Sequence, residues 1–177
     1  MPHLARLPLG LLALLCAALG PTLRASGDAS SRLALDRPLD DVRIVDMRGT
    51  VWSAGQFRGR VTLIEFWATW CAPCLTELPV LKQARARYAR DDFEILGVSF
   101  DVIDRRTFVS WINRQGVTWP QAFDGRGRHG DAARQLRVVA VPTSYLVDRH
   151  GRVVAMNLRG ERLLQAIERL VAGRTPS

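Results

Sequence analysis

Residues 67–79 read W-A-T-W-C-A-P-C-L-T-E-L-P, and this stretch decides how the rest of the chain is interpreted. It holds two of the chain's three cysteines, Cys71 and Cys74, separated by two residues. The apolar, β-rich run from Val61 to Trp67 precedes them, as expected for a strand that is covered on both faces. A helical pattern follows from about Ala72 to Arg90. The sequence therefore predicts a strand, a turn and a helix, with both cysteines where the helix begins.

Two cysteines in the first turn of a helix lie where unpaired N–H groups and the helix dipole favour negative charge. Such surroundings lower a thiol pKa from about 8.5 to roughly 3.5–7.5, which makes the thiolate a nucleophile near neutral pH. Cys71 is the expected exposed attacker of a substrate disulfide, and Cys74 would resolve the mixed disulfide. Pro73 lacks an N–H and stiffens the turn between them. The pair thus predicts a dithiol–disulfide cycle that needs no cofactor.

Other uses of the cysteine pair remain open. A structural zinc site needs four ligands, and only His129 and His150 accompany the pair in the expected mature chain. Copper(I) accepts fewer soft ligands, so a copper(I)-binding chaperone is one alternative. A thiol peroxidase is another, although it would need a threonine where Ala68 stands, three residues before Cys71. A disulfide-forming oxidase would use the same two cysteines at a higher reduction potential.

Length and composition indicate a single globular domain. The chain has 177 residues, of which 47% are hydrophobic and 24% charged, which is typical of a soluble protein with a packed core. It has 25 basic and 17 acidic residues, a formal net charge of +8, and Lys82 is the single lysine. The arginines are scattered rather than clustered, which argues against a nucleic-acid interface.

The amino terminus has the pattern of an export signal. Arg6 precedes an apolar, leucine- and alanine-rich region from Leu7 to Leu19. The expected divisions are a signal peptide or N-terminal membrane anchor at 1–25, a linker at 26–38, the folded domain at 39–172 and a flexible tail at 173–177. The body of the protein is expected in the periplasm or otherwise outside the cytoplasm. It would contact the inner membrane if the first segment is retained as an anchor.

The remaining pattern predicts alternating strands and helices. The expected elements are a hairpin of Val42–Val45 and Val51–Ser53, a strand at Phe93–Phe100, helices near Arg105–Gln115 and Asp131–Leu136, strands at Val138–Val147 and Arg152–Leu158, and a last helix at Glu161–Val171. This order predicts an α/β fold with a central mixed sheet flanked by helices. The cysteines would lie at the carboxyl end of the first long strand, where such sheets place ligands.

Five features in order carry a family resemblance. They are F-W-A-T-W-C-A-P-C from Phe66, Glu77, Pro79, V-P-T-S-Y-L-V-D from Val141, and the turn R-H-G-R at 149–152. Over about residues 33–172 the chain resembles the thioredoxin superfamily, in particular the exported TlpA/ResA-type thiol-disulfide oxidoreductases. The resemblance implies a thioredoxin-like fold with an N-terminal hairpin and a β/α insert, at 101–123, before a cis-proline segment.

Two glutamates are candidate catalytic residues. Glu65 interrupts a strand that should be buried, and burial raises a carboxyl pKa, so Glu65 could accept the proton of Cys74. Alternatively it is a structural carboxylate paired with an arginine. An acid six residues before the first cysteine resembles thioredoxin proper, whereas many TlpA/ResA-type relatives have asparagine there. The resemblance implies that Glu77 tunes the thiols; the alternative is a solvated acid near the helix dipole.

Four residues are candidates for substrate contact. Pro142 resembles the family's cis-proline beside the disulfide, and Val141 would then offer backbone groups to an extended substrate segment. Trp70, next to Cys71, is expected at the apolar rim of the site, whereas Trp67 is expected in the core. Pro73, in the turn between the cysteines, completes the set.

The expected activity is reduction of disulfides in partner proteins. The resemblance implies re-reduction by a membrane thiol donor. It also implies duties such as keeping apocytochrome c cysteines reduced during cytochrome c maturation, or copper-site cysteines reduced during oxidase assembly. The oxidase, copper(I) chaperone and peroxidase alternatives stay open from the residues alone.

Overall fold

The computed structural model describes residues 35–173, which form a small hairpin and a five-stranded mixed sheet flanked by helices. The expected signal peptide or anchor at 1–25, most of the linker and nearly all of the tail lie outside the described residues. Between residues 35 and 173 none of the helices combines the length and apolar character that a membrane crossing requires.

The predicted strands and helices occur in the predicted order, and the short helix at Ala54–Phe57 is an addition. The strands are β1 (Ile44–Val45), β2 (Val51–Trp52), β3 (Val61–Trp67), β4 (Phe93–Ser99), β5 (Gln121–Ala122), β6 (Thr143–Val147) and β7 (Val153–Met156). The helices are α1 (Ala54–Phe57), α2 (Ala72–Arg87), α3 (Arg105–Arg114), α4 (Asp131–Gln135) and α5 (Gly160–Val171), with a 3₁₀ turn at Gly127–His129.

The sheet order is β5-β4-β3-β6-β7. β4 runs parallel to both β3 and β5, while β6 is antiparallel to β3 and β7. Every residue of β3 and β4 is buried, which explains why both strands are mostly apolar, with Glu65 and Glu94 as buried exceptions. The arrangement confirms the thioredoxin-like α/β fold. The insert adds α3 and the edge strand β5 beyond the core order β4-β3-β6-β7.

The strand predicted from Val138 begins only at Thr143. The Val138 N–H donates instead to the carbonyl of Ala133 at 2.8 Å, and Arg137 has a φ of +54°, so the chain is still leaving α4. Pro142 has no N–H for a sheet ladder. Residues 138–142 consequently form a loop that reaches the end of the sheet where the cysteines lie.

Helix α2 ends at Arg87 rather than at the predicted Arg90. Tyr88 is extended, and the N–H groups of Asp92 and Phe93 both donate to the Ala89 carbonyl, which forms the turn into β4. Pro79 lies inside the helix, as expected.

Backbone hydrogen bonds join the two peripheral segments to the sheet. In the β1–β2 turn, Met47 N donates to the carbonyl oxygen of Gln121 in β5 at 2.7 Å. At the other side, Asp36 N donates to Val153 O at 2.7 Å, and Val153 N donates to Arg37 O at 3.0 Å. The end of the segment expected as a linker therefore lies along β7.

The core around β3 holds Trp67, which is 4% exposed, consistent with its expected place in the interior. Its indole Nε1 donates to Oε1 of Gln121 at 2.9 Å, so the buried polar atom is satisfied. Gly97 in β4 leaves the space for this bond, because a Cβ there would collide with the Gln121 amide. These contacts fix the strand that leads to the cysteines.

Candidate active site

Cys71 and Cys74 form a disulfide at the carboxyl end of β3. Cys71 is the N-cap residue of α2, and its Sγ accepts a hydrogen bond from Cys74 N at 3.3 Å. Its carbonyl oxygen also accepts from Cys74 N, at 2.9 Å. A thiolate on Cys71 would lie in the same position, facing the free N–H groups and the positive end of the helix dipole.

Both cysteines are buried, with Cys71 4% and Cys74 3% exposed. This differs from the expectation that Cys71 is the exposed member of the pair. In the disulfide state its sulfur is bonded to Cys74 and turned toward the first turn of α2. The neighbours Trp70, 65% exposed, and Pro73 form the accessible surface around it. A substrate would therefore meet those two side chains before it reaches the sulfur.

Glu65 is 3% exposed in the middle of β3, between Gly97 of β4 and Ser144 of β6. Burial raises the pKa of the Glu65 carboxyl to about 8; the charge of Arg159 opposes this shift and that of Glu77 adds to it. Desolvation outweighs the attraction to Arg159, because that contact is long, at 3.5 Å. Glu65 can therefore change its protonation near neutral pH.

One small internal cavity joins Glu65 to Cys74. Its volume is about 10 Å³, close to the minimum that holds one water molecule. The rest of its lining is apolar and comes from Trp67, Leu78, Leu81 and Trp119. The cavity thus places Glu65 and Cys74 in the lining of one small space.

Arg159 is a site residue that the sequence did not reveal. Its Nη1 donates to Ser144 Oγ at 2.7 Å and to Leu158 O at 2.9 Å, and it lies 3.5 Å from Glu65 Oε2. Both interpretations of Glu65 therefore find support, since the carboxyl has an arginine neighbour and a raised pKa. No local signal could indicate this pair, because 94 residues separate its members.

Glu77 lies half-buried on α2 and contacts the start of α5. Its Oε2 accepts a hydrogen bond from Gly160 N at 3.0 Å. Its charge also raises the pKa of Glu65. Glu77 thus holds the amino end of α5 against α2, a role that neither sequence interpretation included, while remaining close enough to influence the buried carboxyl.

A second buried carboxylate, Asp101, fixes the loop before the cysteines. It is fully buried and accepts hydrogen bonds from Thr69 Oγ1 at 2.6 Å, Thr69 N at 3.0 Å and Ser99 Oγ at 2.7 Å. Because β3 and β4 are parallel, their carboxyl ends meet at one edge of the sheet. Because Thr69 and Asp101 each follow the carboxyl end of one of these strands, the parallel arrangement could have predicted their contact from the sequence.

The Val141–Pro142 peptide bond is cis, as the resemblance implies. The pairing of Thr143 with Phe66 places these two residues beside the end of β3. Neither the N–H nor the C=O of Val141 forms a hydrogen bond within residues 35–173. Val141 and Trp70 line one groove, so two of the four expected substrate contacts share a surface.

The histidines that the zinc alternative requires both lie in exposed turns. His129 is exposed in the 3₁₀ turn, and His150 is exposed in the turn before β7. Across residues 35–173, His, Cys, Asp and Glu side chains form no group of three or more with the geometry to hold a metal ion.

Comparison with known proteins agrees with this geometry. The chain is 25% identical to the thiol-disulfide oxidoreductase ResA of Bacillus thuringiensis subsp. konkukian, over 94% of each chain. It is 29% identical to ResA of Geobacillus thermodenitrificans, over 81% of this chain and 80% of that protein. The solved structure of a thiol-disulfide oxidoreductase from Bacteroides fragilis matches with a TM-score of 0.63 and 30% identity, over 73% of this chain and 96% of that one.

The profile of the AhpC/TSA family matches residues 35–156, which is most of the described chain. Together with the fold and the Cys71–Cys74 disulfide, this match and the similar proteins establish the class of the protein. The chain belongs to the AhpC/TSA family and, within it, to the thioredoxin-like thiol-disulfide oxidoreductases.

Proposed function

We propose that this oxidoreductase works outside the cytoplasm and reduces disulfides in partner proteins. The observation that carries the proposal is the Cys71–Cys74 disulfide at the N-cap of α2, joined by a small cavity to the buried Glu65. The sulfur pair can store two electrons, and the carboxyl can exchange a proton near neutral pH. Both capacities are what a dithiol reductase uses.

The first step is attack by the Cys71 thiolate on a substrate sulfur. A Cys71–substrate disulfide forms, the substrate S–S bond breaks, and the leaving sulfur takes up a proton. The substrate approaches beside Trp70 and Pro73, and an extended segment pairs with the free backbone groups of Val141 next to Pro142.

The second step closes the disulfide. Cys74 loses its proton to the Glu65 carboxylate across the shared cavity, and its sulfur then attacks Cys71 Sγ. The Cys71–Cys74 bond forms while the second substrate sulfur leaves as a thiol, so two electrons have passed to the substrate. Glu77 contributes by raising the pKa of Glu65.

A return to the dithiol state needs an external reductant. We propose a membrane thiol donor, with residues 1–25 acting as the export signal or anchor, 26–38 as the linker and 173–177 as a flexible tail. Cysteines awaiting haem attachment in apocytochrome c, or copper-site cysteines during oxidase assembly, are suitable substrates because both must be kept reduced outside the cytoplasm. The ResA relatives support the thiol chemistry, and the substrate and location are part of the proposal.

Substrate trapping tests the proposal directly. In the parent cell, Cys74→Ser should accumulate mixed disulfides through Cys71, and mass spectrometry of the adducts would name the substrates. Cys71→Ser is the matched control, since it keeps one thiol but lacks the attacker. If Cys74→Ser formed no adducts beyond those of this control, the reductase role would be lost.

The reduction potential separates reductase from oxidase. A potential of the Cys71–Cys74 pair near about −270 mV supports a reductase, whereas one near about −120 mV indicates a disulfide-forming oxidase. Equilibration with glutathione or dithiothreitol buffers measures it. Copper(I) titration of the reduced protein tests the chaperone alternative.

The match to the AhpC/TSA family makes a thiol peroxidase a specific alternative to the reductase. Ala68 stands where a peroxidase needs an activating threonine, which favours disulfide chemistry. Turnover of hydrogen peroxide by Cys74→Ser at a rate matching its disulfide exchange would favour the peroxidase instead.

A further inference from the structure

A groove of about 470 Å³ runs from Trp70 past the 3₁₀ turn to Val141. Besides these ends, it is lined by the exposed apolar side chains of Val102 and Val139 and by a short basic turn at 126–129. Of the five large hydrophobic residues that are exposed within residues 35–173, three line this groove: Trp70, Val102 and Val139, at 65%, 72% and 80% exposure. Such a concentration of exposed apolar area marks a surface that binds another molecule.

The charge of the groove is one-sided. Its lining includes Arg126, Arg128 and His129 and no carboxylate. Arg126 already forms ion pairs outside the groove, at 2.7 Å with Asp131 and 3.3 Å with Asp124. Its positive charge is therefore largely matched by the protein itself.

Arg128 differs from Arg126 in having an unmatched charge. It is exposed and forms no ion pair within residues 35–173; its Nε donates to His129 Nε2 at 3.2 Å. Gly127 has no Cβ, so the turn can lie close to the wall of the groove. A Cβ at this position would lie 3.1 Å from both Phe100 O and Val102 Cγ2. Arg128 thus brings a positive charge without an ion-pair partner among residues 35–173 to the groove that the apolar wall borders.

We infer that this groove selects disulfide partners with an acidic, extended segment next to the reactive cysteine. An apolar side chain of that segment lies against Trp70, Val102 and Val139, while a carboxylate pairs with Arg128. Because the groove begins at Trp70, next to Cys71, and ends at Val141, whose backbone groups are free within residues 35–173, the same segment brings its disulfide to the reduced Cys71. The inference deepens the proposed reductase function and rests on it.

Three synthetic peptides test this selectivity. Each holds one intramolecular disulfide and a leucine beside the first cysteine, and they differ only in a flanking pair of glutamates, glutamines or lysines. The reduced Cys71–Cys74 pair gives two electrons and two protons to each peptide and becomes the disulfide, and rapid mixing gives the second-order rate constant of this single turnover. We expect the acidic peptide to exceed the neutral one by about two- to fivefold, the range of one exposed ion pair, and the basic peptide to fall below both.

Charge reversal at Arg128 is the sharper comparison. Arg128→Glu should invert the order of the acidic and basic peptides, and raising the salt concentration should bring all three rates together. Arg169→Glu is the matched control, because it makes the same charge change at an exposed site in the last turn of α5. Arg169 does not line the groove. The control should keep the wild-type order.

The apolar wall is tested by Val102→Ser and Val139→Ser. Both side chains are exposed, so the variants should melt like the wild type while the second-order rate constant for the leucine peptides falls. Equal rates for all three peptides, or an unchanged order in Arg128→Glu, would overturn the inference. A concentration-dependent dimer that Val139→Ser disperses would make a second copy the occupant and overturn it equally.

Hydroxyethyl disulfide, a small neutral disulfide, distinguishes failure of this inference from failure of the proposed reductase function. Turnover of that compound without selectivity among the peptides would remove only the groove's role. No turnover of hydroxyethyl disulfide or of any peptide would remove the reductase function as well.

Discussion

The Glu65 carboxyl lies within a strand whose residues are all buried, and burial raises its pKa to about 8, which predicts effects on both rate and stability. A carboxylate that is ionised at neutral pH would be a weaker base toward a thiol. A carboxyl group whose pKa is raised toward that of a thiol is a stronger base, as the proposed transfer of the Cys74 proton to Glu65 requires. Arg159 moderates the shift without cancelling it.

The first prediction concerns the resolving step. Release of thiol from a preformed mixed disulfide at Cys71 should accelerate as the pH rises through about 8, because ionised Glu65 then accepts the Cys74 proton. Glu65→Gln should lose this acceleration and slow by about 10²-fold, the lower end of general-base effects. Stopped-flow measurement across that pH range checks it.

Glu77→Gln is the control for that experiment. It removes the charge that helps to raise the pKa of Glu65, so the acceleration should persist at a lower pH. A Glu65→Gln variant with the wild-type pH profile would assign the proton transfer to another group.

The second prediction concerns stability against pH. The pKa of Glu65 rises from 4.5 to about 8 on folding, so the folded protein keeps a proton that the unfolded chain releases between these values. Stability from this group is full below about pH 4.5 and is lost as the pH rises through about 8. The unfolding free energy of Glu65→Gln, measured relative to that of the wild type, should therefore increase by a few kcal/mol between acid and alkaline pH.

Urea unfolding near pH 5 and pH 9 measures that gain. A difference between the two proteins that stays constant across the range would show that the carboxyl titrates alike in the folded and unfolded states.

The loop between β3 and α2 depends on the end of β4. Asp101 holds the loop through Thr69, two residues before Cys71, and it is buried without an ion pair within the part of the chain that the structure describes. The position of the attacking sulfur thus depends on a neighbouring strand as well as on its own helix.

The third prediction tests this connection. Thr69→Val removes the hydroxyl donor and leaves Asp101 less satisfied, at a cost of about 1 to 3 kcal/mol in unfolding free energy. The less constrained loop should also change the alkylation rate of Cys71 in the reduced protein. Thr69→Ser keeps the donor and should stay near wild type in both measurements. Equal behaviour of the two variants would mean that the hydroxyl has no positioning role.

The packing of α2 on β4 depends on Glu94, whose side chain is 3% exposed. Its carboxylate lies 3.1 Å from Arg85 Nε, with Arg85 11% exposed, and 2.6 Å from Arg90 Nη1. Both arginines belong to α2 or the turn that follows it. Removal of the negative charge would leave Arg85 buried without its counter-ion.

The fourth prediction is that Glu94→Gln lowers the unfolding free energy by about 2 to 4 kcal/mol, as expected when a buried pair loses one partner. Glu168→Gln is the matched control, because its pair with Arg87 is half exposed on both sides and should contribute about 0.5 kcal/mol or less. Urea unfolding of both variants provides the comparison. Similar losses in the two would show that burial of Glu94 adds nothing.

The local sequence pattern was sufficient to predict the strands that are buried along their whole length and the last helix, whose apolar residues recur at helical spacing. β3 and β4 are buried throughout, so their apolar runs predicted them, and α5 follows its helical spacing to within one residue. The pattern failed at Val138–Pro142, where apolar residues serve a loop rather than a strand. It could not reveal the contact of Glu65 with Arg159, because chain topology alone brings them together.

The folded chain as a unit links its redox state to its stability. A disulfide of low reduction potential is one that the folded state favours over the dithiol, whereas a strong oxidant has a stabilised reduced form. The proposed reductase role therefore predicts the sign of the stability difference between the two states.

The fifth prediction is that the oxidised protein melts above the reduced protein. The difference in unfolding free energy should agree with the measured potential through the conversion of about 1.4 kcal/mol for each 30 mV. Calorimetry of both forms, with Cys71→Ser/Cys74→Ser as a redox-inert reference, measures it. A more stable reduced form would favour the disulfide-forming alternative.

The segments at the two borders of the five-stranded sheet have a protective consequence. Residues 36–37 bond to β7, and the β1–β2 turn bonds to β5, so both outermost strands already have neighbours. Unsatisfied outer strands template the growth of intermolecular β-structure. With these neighbours in place, the two outermost strands leave fewer unpaired backbone groups for another polypeptide to join.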